Sequence, residues 1–359
     1  MDARTRALKE LLADTIARIH PPDEQIRTAA ARALDAKTKP RGSLGRLETL
    51  AAQVAAVRRD PHPGPLSAAV VIAAADHGVT DEGVSAYPSE VTRQMVANFA
   101  TGGAAISVLA RLRGTRLVLV DAGVAEAVAL PGVHAVRIGA GTRNFLHEPA
   151  MTRAQALEAL TAGIELAAEL AAEGAGLLVL GEMGIGNTTT ASALCAALLP
   201  AEPERVCGRG TGIDDQRLAH KVAVVRAALA RHAPAPDDPL GTLAALGGFE
   251  LALLAGVALG AAERRLAILL DGFVVGAAAL VAARLAPASI GSMVAGHRSP
   301  EPGHRLVLDE LGLEPLLELG MRLGEGSGAL VALPLVDAAL ALLREMATFG
   351  AAGVTDTGA

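Results

Sequence analysis

Aromatic residues are scarce in this sequence: no tryptophan, one tyrosine and five phenylalanines among 359 residues. Stacking partners for a bound ring are correspondingly few. Cysteine is nearly missing as well. Cys195 and Cys207 form neither a disulfide framework nor a metal-ligand spacing, so a reducing cytoplasm is the expected location. Lysine occurs only at Lys9, Lys37, Lys39 and Lys221, arginine being the default base. That makes Lys221 conspicuous. The net charge is a mild −6 and no basic run occurs, which argues against nucleic acid as the main partner. The most hydrophobic stretch, 240–296, is broken by Glu250, Glu263, Arg264, Arg265 and Asp271. No uncharged run there reaches the about 18–20 residues of a membrane helix, so it reads as buried core and no membrane is expected. The first twenty residues are charged throughout and lack a signal peptide's apolar centre.

What is present is small and apolar. Hydrophobic residues make up 51% of the chain, mostly Ala, Leu and Val, and there are 39 glycines. Such residues let helices and sheets approach closely, which suits an α/β enzyme better than a β-sandwich. Residues 1–60 carry helical spacing: Leu8, Leu11, Leu12, Ile16 and Ile19 recur on one face. A second helix is expected from about Asp23 to Ala36 and a third from Leu44 to Val57, closed by "RRDPHPGP".

From residue 66 the pattern changes to short apolar runs, each followed by glycine and polar residues. They lie at 66–78, 115–123, 133–144, 174–187, 265–273 and 288–299, with helical stretches between them at 90–112, 152–173 and 188–198. Continuously apolar strands alternating with helices predict a parallel sheet covered on both faces. The expected fold class is therefore α/β and Rossmann-like, over residues 63–334. A smaller all-helical domain is expected from residues 1–62 and 335–359. Ligands in such sheets sit beyond the carboxyl ends of the strands. The polar residues that follow the runs thus point at one crevice: Asp76, His77, Asp121, Asn144, Glu182, Asn187, Asp271 and Ser299.

Four stretches have the composition of a site. In "GEMGIGNTTTAS" (181–192), Gly181, Gly184 and Gly186 let backbone amides approach an anion at a helix N-terminus. The stretch lacks the lysine of a Walker A loop and does not read G-x-G-x-x-G. A plain helix cap at Thr188–Thr190 is the competing reading. "CGRGTGIDD" (207–215) is a second glycine-rich turn with Lys221 beyond it, either on a phosphate or on the surface. "GHRSPEPGH" (296–304) offers Ser299 to a phosphate or is a proline-stiffened loop; its two histidines lack metal-ligand spacing, so no metal is expected. In "RLGEGSGA" (322–329), glycines flank Glu325, which is either a surface loop residue or faces a bound molecule.

Together with "KPRGSLGRLE", "ADHGVTDEGVSAYPSEVTRQMVANFATGGAAI", "LGGFE" and "LLDGF", these stretches resemble one family in order, over about residues 37–329. It is the nicotinate-nucleotide–dimethylbenzimidazole phosphoribosyltransferase family of cobalamin lower-ligand synthesis. The resemblance implies transfer of a phosphoribosyl group from nicotinate mononucleotide to a benzimidazole, with small molecules as the only substrates. It implies Glu325 as general base, Glu182 beside the ribose and the base, and no metal, cofactor or covalent intermediate. The phosphate and ribose would be held by Gly184, Gly186, Asn187, Gly210, Lys221, Asp271 and Ser299. The acceptor ring would lie among Ser85, Gln94, Met183 and Leu323. A homodimer is implied too. Two rival readings use the same residues: a related enzyme that transfers to water, and a catalytically idle nucleotide sensor.

Overall fold

In the computed structural model, which describes residues 3–235 and 237–355, the chain opens with three helices. These are α1 (Ala3–Arg18), α2 (Glu24–Asp35) and α3 (Arg46–Arg58). Asp23 starts α2 by accepting from the amides of Gln25 and Ile26 at 3.0 and 3.1 Å, satisfying donors that have no partner inside the helix. The first strand, β1 (Ala68–Ala75), is followed by α4 (Glu90–Thr101) and α5 (Ala105–Arg113). Then come β2 (Arg116–Gly123), β3 (Val133–Ala135), α6 (Arg153–Ala172) and β4 (Leu177–Met183). The helices α7 (Asn187–Leu198), α8 (Pro203–Val206), α9 (Asp215–His232), α10 (Pro239–Leu246) and α11 (Phe249–Glu263) follow. The chain continues through β5 (Ala267–Leu270), α12 (Phe273–Leu285), β6 (Met293–Ala295), α13 (Pro302–Leu311), α14 (Ser327–Glu345) and α15 (Phe349–Ala352).

The strands form one parallel six-stranded sheet in the order β3-β2-β1-β4-β5-β6. This is the doubly wound arrangement expected from the alternating runs. Alternate residues of β1 feed the two layers: Val71 and Ala73 join one core, Val70 and Ile72 the other. The runs were longer than the strands. Residues 133–144 pair only at β3, after which the amides of Val136 and Arg137 turn back onto the Asp121 carbonyl. The run 288–299 narrows to β6, because Pro287–Ser292 coils into a 3-10 turn. The expected helix 90–112 is split at Gly102, which takes φ 84° and caps α4.

The terminal helices divide between the layers. Helix α1 packs on α6 and α11, whereas α2 and α3 pack with α14 on the opposite face. The anticipated boundary at residue 334 falls inside α14, which also contacts β4 and β5. Helix α14 thus meets both the sheet and α3. Helix α14 is long and apolar enough to cross a membrane by composition, yet that side is buried against these elements. Packing is tightest where α6 meets α11. A Cβ added to Gly256 would lie 1.9 Å from the Leu160 carbonyl oxygen. Backbone cannot yield as a side chain does, so Gly256→Ala is expected to destabilise the fold by about 1–3 kcal/mol, read as a lower midpoint in urea unfolding.

Candidate active site

In a sheet of this order the chain leaves β1 and β4 toward opposite faces, opening a crevice beyond their carboxyl ends. Strand β4 ends in Gly181, Glu182 and Met183. The next residues, Gly184–Gly186, turn into α7, Gly186 standing at φ 91°. The Ile185 amide donates to Thr92 Oγ1 at 3.0 Å, tying the turn to α4. A cavity of about 420 Å³ lies over this turn. One set of lining groups is polar: Asn187, Thr188, Gly210, Ser299 and Glu301. Gly210 meets two of the others: its amide donates to Glu301 Oε1 at 2.8 Å, and a Cβ on it would stand 2.7 Å from Thr188 Oγ1. The Ser299 amide donates to His304 Nδ1 at 2.9 Å, and its Oγ accepts from the Glu301 amide at 3.4 Å. Burial presses the His304 pKa down to about 3, which keeps that nitrogen an acceptor. The other set, Tyr87, Val91, Met95, Met183, Ile185 and Leu323, is largely aliphatic.

Glu325 lines the same cavity from the loop before α14. Its backbone has φ 64°, a region that side chains other than glycine occupy only under constraint. The constraint is Asp271, which follows β5. Its Oδ2 accepts from the Gly326 amide at 3.1 Å and its Oδ1 from the Ala329 amide at 2.9 Å. The loop then lies flat on β4: a Cβ on Gly181 would be 2.6 Å from the Glu325 carbonyl carbon and oxygen, so only glycine fits. Glu325 is 5% exposed and its Oε2 has no hydrogen-bond partner among the described residues. Burial raises its pKa; the Ile106 amide, at the start of α5, works against that and the Asp271 carboxylate with it. Glu182 is buried too and accepts from Asn187 Nδ2. Its pKa is raised well above the ordinary carboxylate range, first by burial and then by Asp271, Glu250 and Glu325. The neutral form of Glu182 is thereby favoured relative to an exposed glutamate. Two buried carboxyl groups in one cavity, one with an unpartnered oxygen and one raised further by its neighbours, are the pattern of an acid–base site.

A family described as phosphoribosyltransferase matches this sequence over residues 19–354. A nicotinate-nucleotide–dimethylbenzimidazole phosphoribosyltransferase of Chloroflexus aurantiacus is 51% identical, covering 97% of this chain and 99% of that one. A protein of the same name from Ralstonia nicotianae is 53% identical over 90% of this chain and 92% of its own. The crystal structure of the Thermus thermophilus protein of that name superposes with a TM-score of 0.88 at 47% identity, over 93% of this chain and 99% of that chain. The chain belongs to the nicotinate-nucleotide–dimethylbenzimidazole phosphoribosyltransferase family.

Within this family member, the structure gathers Glu182, Met183, Gly184, Asn187, Gly210, Ser299, Leu323 and Glu325 around the cavity. Others anticipated there stand elsewhere. Gln94 is exposed on α4, whose cavity side carries Val91 and Met95, one helical turn apart. Ser85 is half-buried outside the lining and receives the Tyr87 amide at 3.3 Å. Lys221 is buried behind the lining, its Nζ donating to Thr188 Oγ1 at 3.0 Å and to the Gly208 carbonyl at 3.1 Å. Asp271 holds the Glu325 loop and does not line the cavity. Gly186 shapes the turn from beneath. Asp121 and Asn144 are engaged elsewhere, with the Val124 amide and with Glu82. His297, Glu301 and Arg322 line the cavity and were missed as individuals, although each sits inside a stretch singled out from the sequence. Asp271→Ala leaves two buried amides without an acceptor. The expected outcome is a loss of about 1–3 kcal/mol in chemical unfolding, and a fall in turnover although Asp271 does not line the cavity.

Proposed function

We propose that this chain transfers the 5-phosphoribosyl group of nicotinate mononucleotide to 5,6-dimethylbenzimidazole, giving nicotinate and α-ribazole 5′-phosphate, as a step in cobalamin lower-ligand synthesis. The observation that carries the reading is Glu325, a buried carboxylate with a free oxygen in the same cavity as a glycine-rich helix N-terminus. The bond from the ribose anomeric carbon to the pyridinium nitrogen breaks, its electron pair returning to nicotinate. One azole nitrogen forms the new bond from the opposite face. The proton on the other azole nitrogen passes to Glu325. The phosphate is placed at the 184–187 turn, where the start of α7 favours an anion, with Ser299 and the Gly210 turn beside it. Lys221 acts there through Thr188, as a brace and a buried cation. Glu182, holding its proton, orients the ribose or the acceptor by hydrogen bonding. Val108 and Leu112, exposed apolar residues on α5, support a homodimer.

Nicotinate release, followed by chromatography, is expected to require the acceptor and to fall about 10²–10⁴-fold in Glu325→Gln, with nucleotide binding retained. Release without acceptor would identify a hydrolase instead, and binding without release a sensor. The raised pKa of Glu325 sets the sign of the pH response, since the base works ionised. Activity should drop as acid protonates Glu325, with that limb above the about 4.3 of an exposed glutamate. The aliphatic slot discriminates weakly, a methyl being worth only about 1–3 kcal/mol. Plain benzimidazole, which lacks both methyl groups, is therefore expected to turn over more slowly but measurably, and a complete failure to turn over where the dimethyl compound reacts would count against this slot.

A further inference from the structure

His77 and Glu250 take no part in the chemistry above, yet they stand directly under it. His77 follows β1 and Glu250 lies in the first turn of α11; both side chains are 0% exposed. His77 Nε2 is 2.8 Å from Glu250 Oε1, and His77 Nδ1 is 2.9 Å from Thr190 Oγ1 in the first turn of α7. The contact to Glu250 is close without being aligned as a hydrogen bond, so both Glu250 oxygens lack a directed partner among the described residues. A buried carboxylate held this loosely is a poor device for stability, since well-packed apolar side chains of similar volume often serve as well or better. Its surroundings indicate another use. A Cβ on Gly184 would come within 2.9 Å of His77 Nε2 and 2.5 Å of the Ala75 carbonyl oxygen. A Cβ on Gly248 would come within 2.5 Å of both Glu250 Oε2 and His77 Cε1. The 184–187 turn thus rests on the imidazole, and the imidazole rests on Glu250.

We propose that His77 and Glu250 are a positioning pair that, through Thr190 and Gly184, fixes the turn between Glu182 and Asn187 relative to Glu325. The proposal rests on the reading of that turn as the seat of the nucleotide. Small displacements of groups around a reacting centre reduce rate strongly, so support beneath the turn bears on turnover more than on folding. A second effect is electrostatic. Glu182 is faced by Asp271 from the end of β5, Glu250 from α11, Glu325 from the loop before α14 and Asn187 from α7. Asp76 and His77 close the end of β1 nearby, and Asp76, also buried, has its own pKa raised by burial. Glu250 adds negative charge to that group and so helps keep the proton on Glu182.

The test uses the full chain with Glu250→Gln and Thr190→Val, each checked by circular dichroism and thermal unfolding. Both folded variants are expected to lose about ten- to hundred-fold in kcat, with little change in KM for nicotinate mononucleotide. Only Glu250→Gln should also move the alkaline limb of the kcat profile to lower pH, because Glu182 then ionises more readily. A folded Glu250→Gln with wild-type kcat and an unmoved limb would overturn the proposal. If that variant does not fold, a folded Thr190→Val with wild-type kcat overturns it instead. Calorimetry of nicotinate mononucleotide on wild type and Asn187→Ala separates the underlying reading. Unchanged affinity in Asn187→Ala would remove the turn as the nucleotide's seat. A large loss there, beside unaffected Glu250 and Thr190 variants, would remove only the positioning pair.

Discussion

The two hydrogen bonds from the Gly326 and Ala329 amides to the Asp271 carboxylate are the contact on which the site depends. They join the end of β5 to the start of α14 and hold Glu325 in a backbone conformation it would not adopt alone. Helix α14 also packs on α3, α5 and the sheet, so the loop is fixed from both ends. For the proposed role of Glu325 as base such rigidity matters, because little reorganisation is left for the reaction itself. The close fit of the loop onto Gly181 completes the anchor without adding a polar group.

Burial then divides the labour between two carboxyl groups of one kind. Both are raised, but Glu182 more so, since three neighbouring carboxylates bear on it as well as desolvation. Glu325 receives the Ile106 amide at the positive end of α5, which favours its ionised form. One group is thereby suited to accept a proton and the other to donate a hydrogen bond. The same logic governs the polar side of the cavity, where Lys221 lies behind the lining and loses some proton affinity to burial, while Glu301 acts against that loss.

The sheet and the ends of its strands were legible because continuous apolar runs closed by glycine have one good interpretation. Strand lengths were not, since pairing at β3 and β6 stops where neighbours and local turns decide. Glu182, Met183, Gly184 and Asn187 could be read because they adjoin a strand end. Gln94 and Lys221 do not line the cavity for a different reason: a motif names a stretch, whereas helix phase and the depth of packing decide which side chain of it reaches the cavity. The histidine and glutamate of "DHG" and "GGFE" lie more than 170 residues apart, and nothing local links them.

By itself the sequence determined the fold class, the family and the stretches that carry the chemistry, because those depend on composition, periodicity and motif order along the chain. The tertiary structure decided that Asp271 holds the loop of Glu325, that Glu182 is buried beside three carboxylates, that Lys221 lies behind the lining, and that His77 meets Glu250. The physical reason is that each of these rests on burial and on distances between residues far apart in sequence, and both exist only once the sheet and its two helical layers have closed.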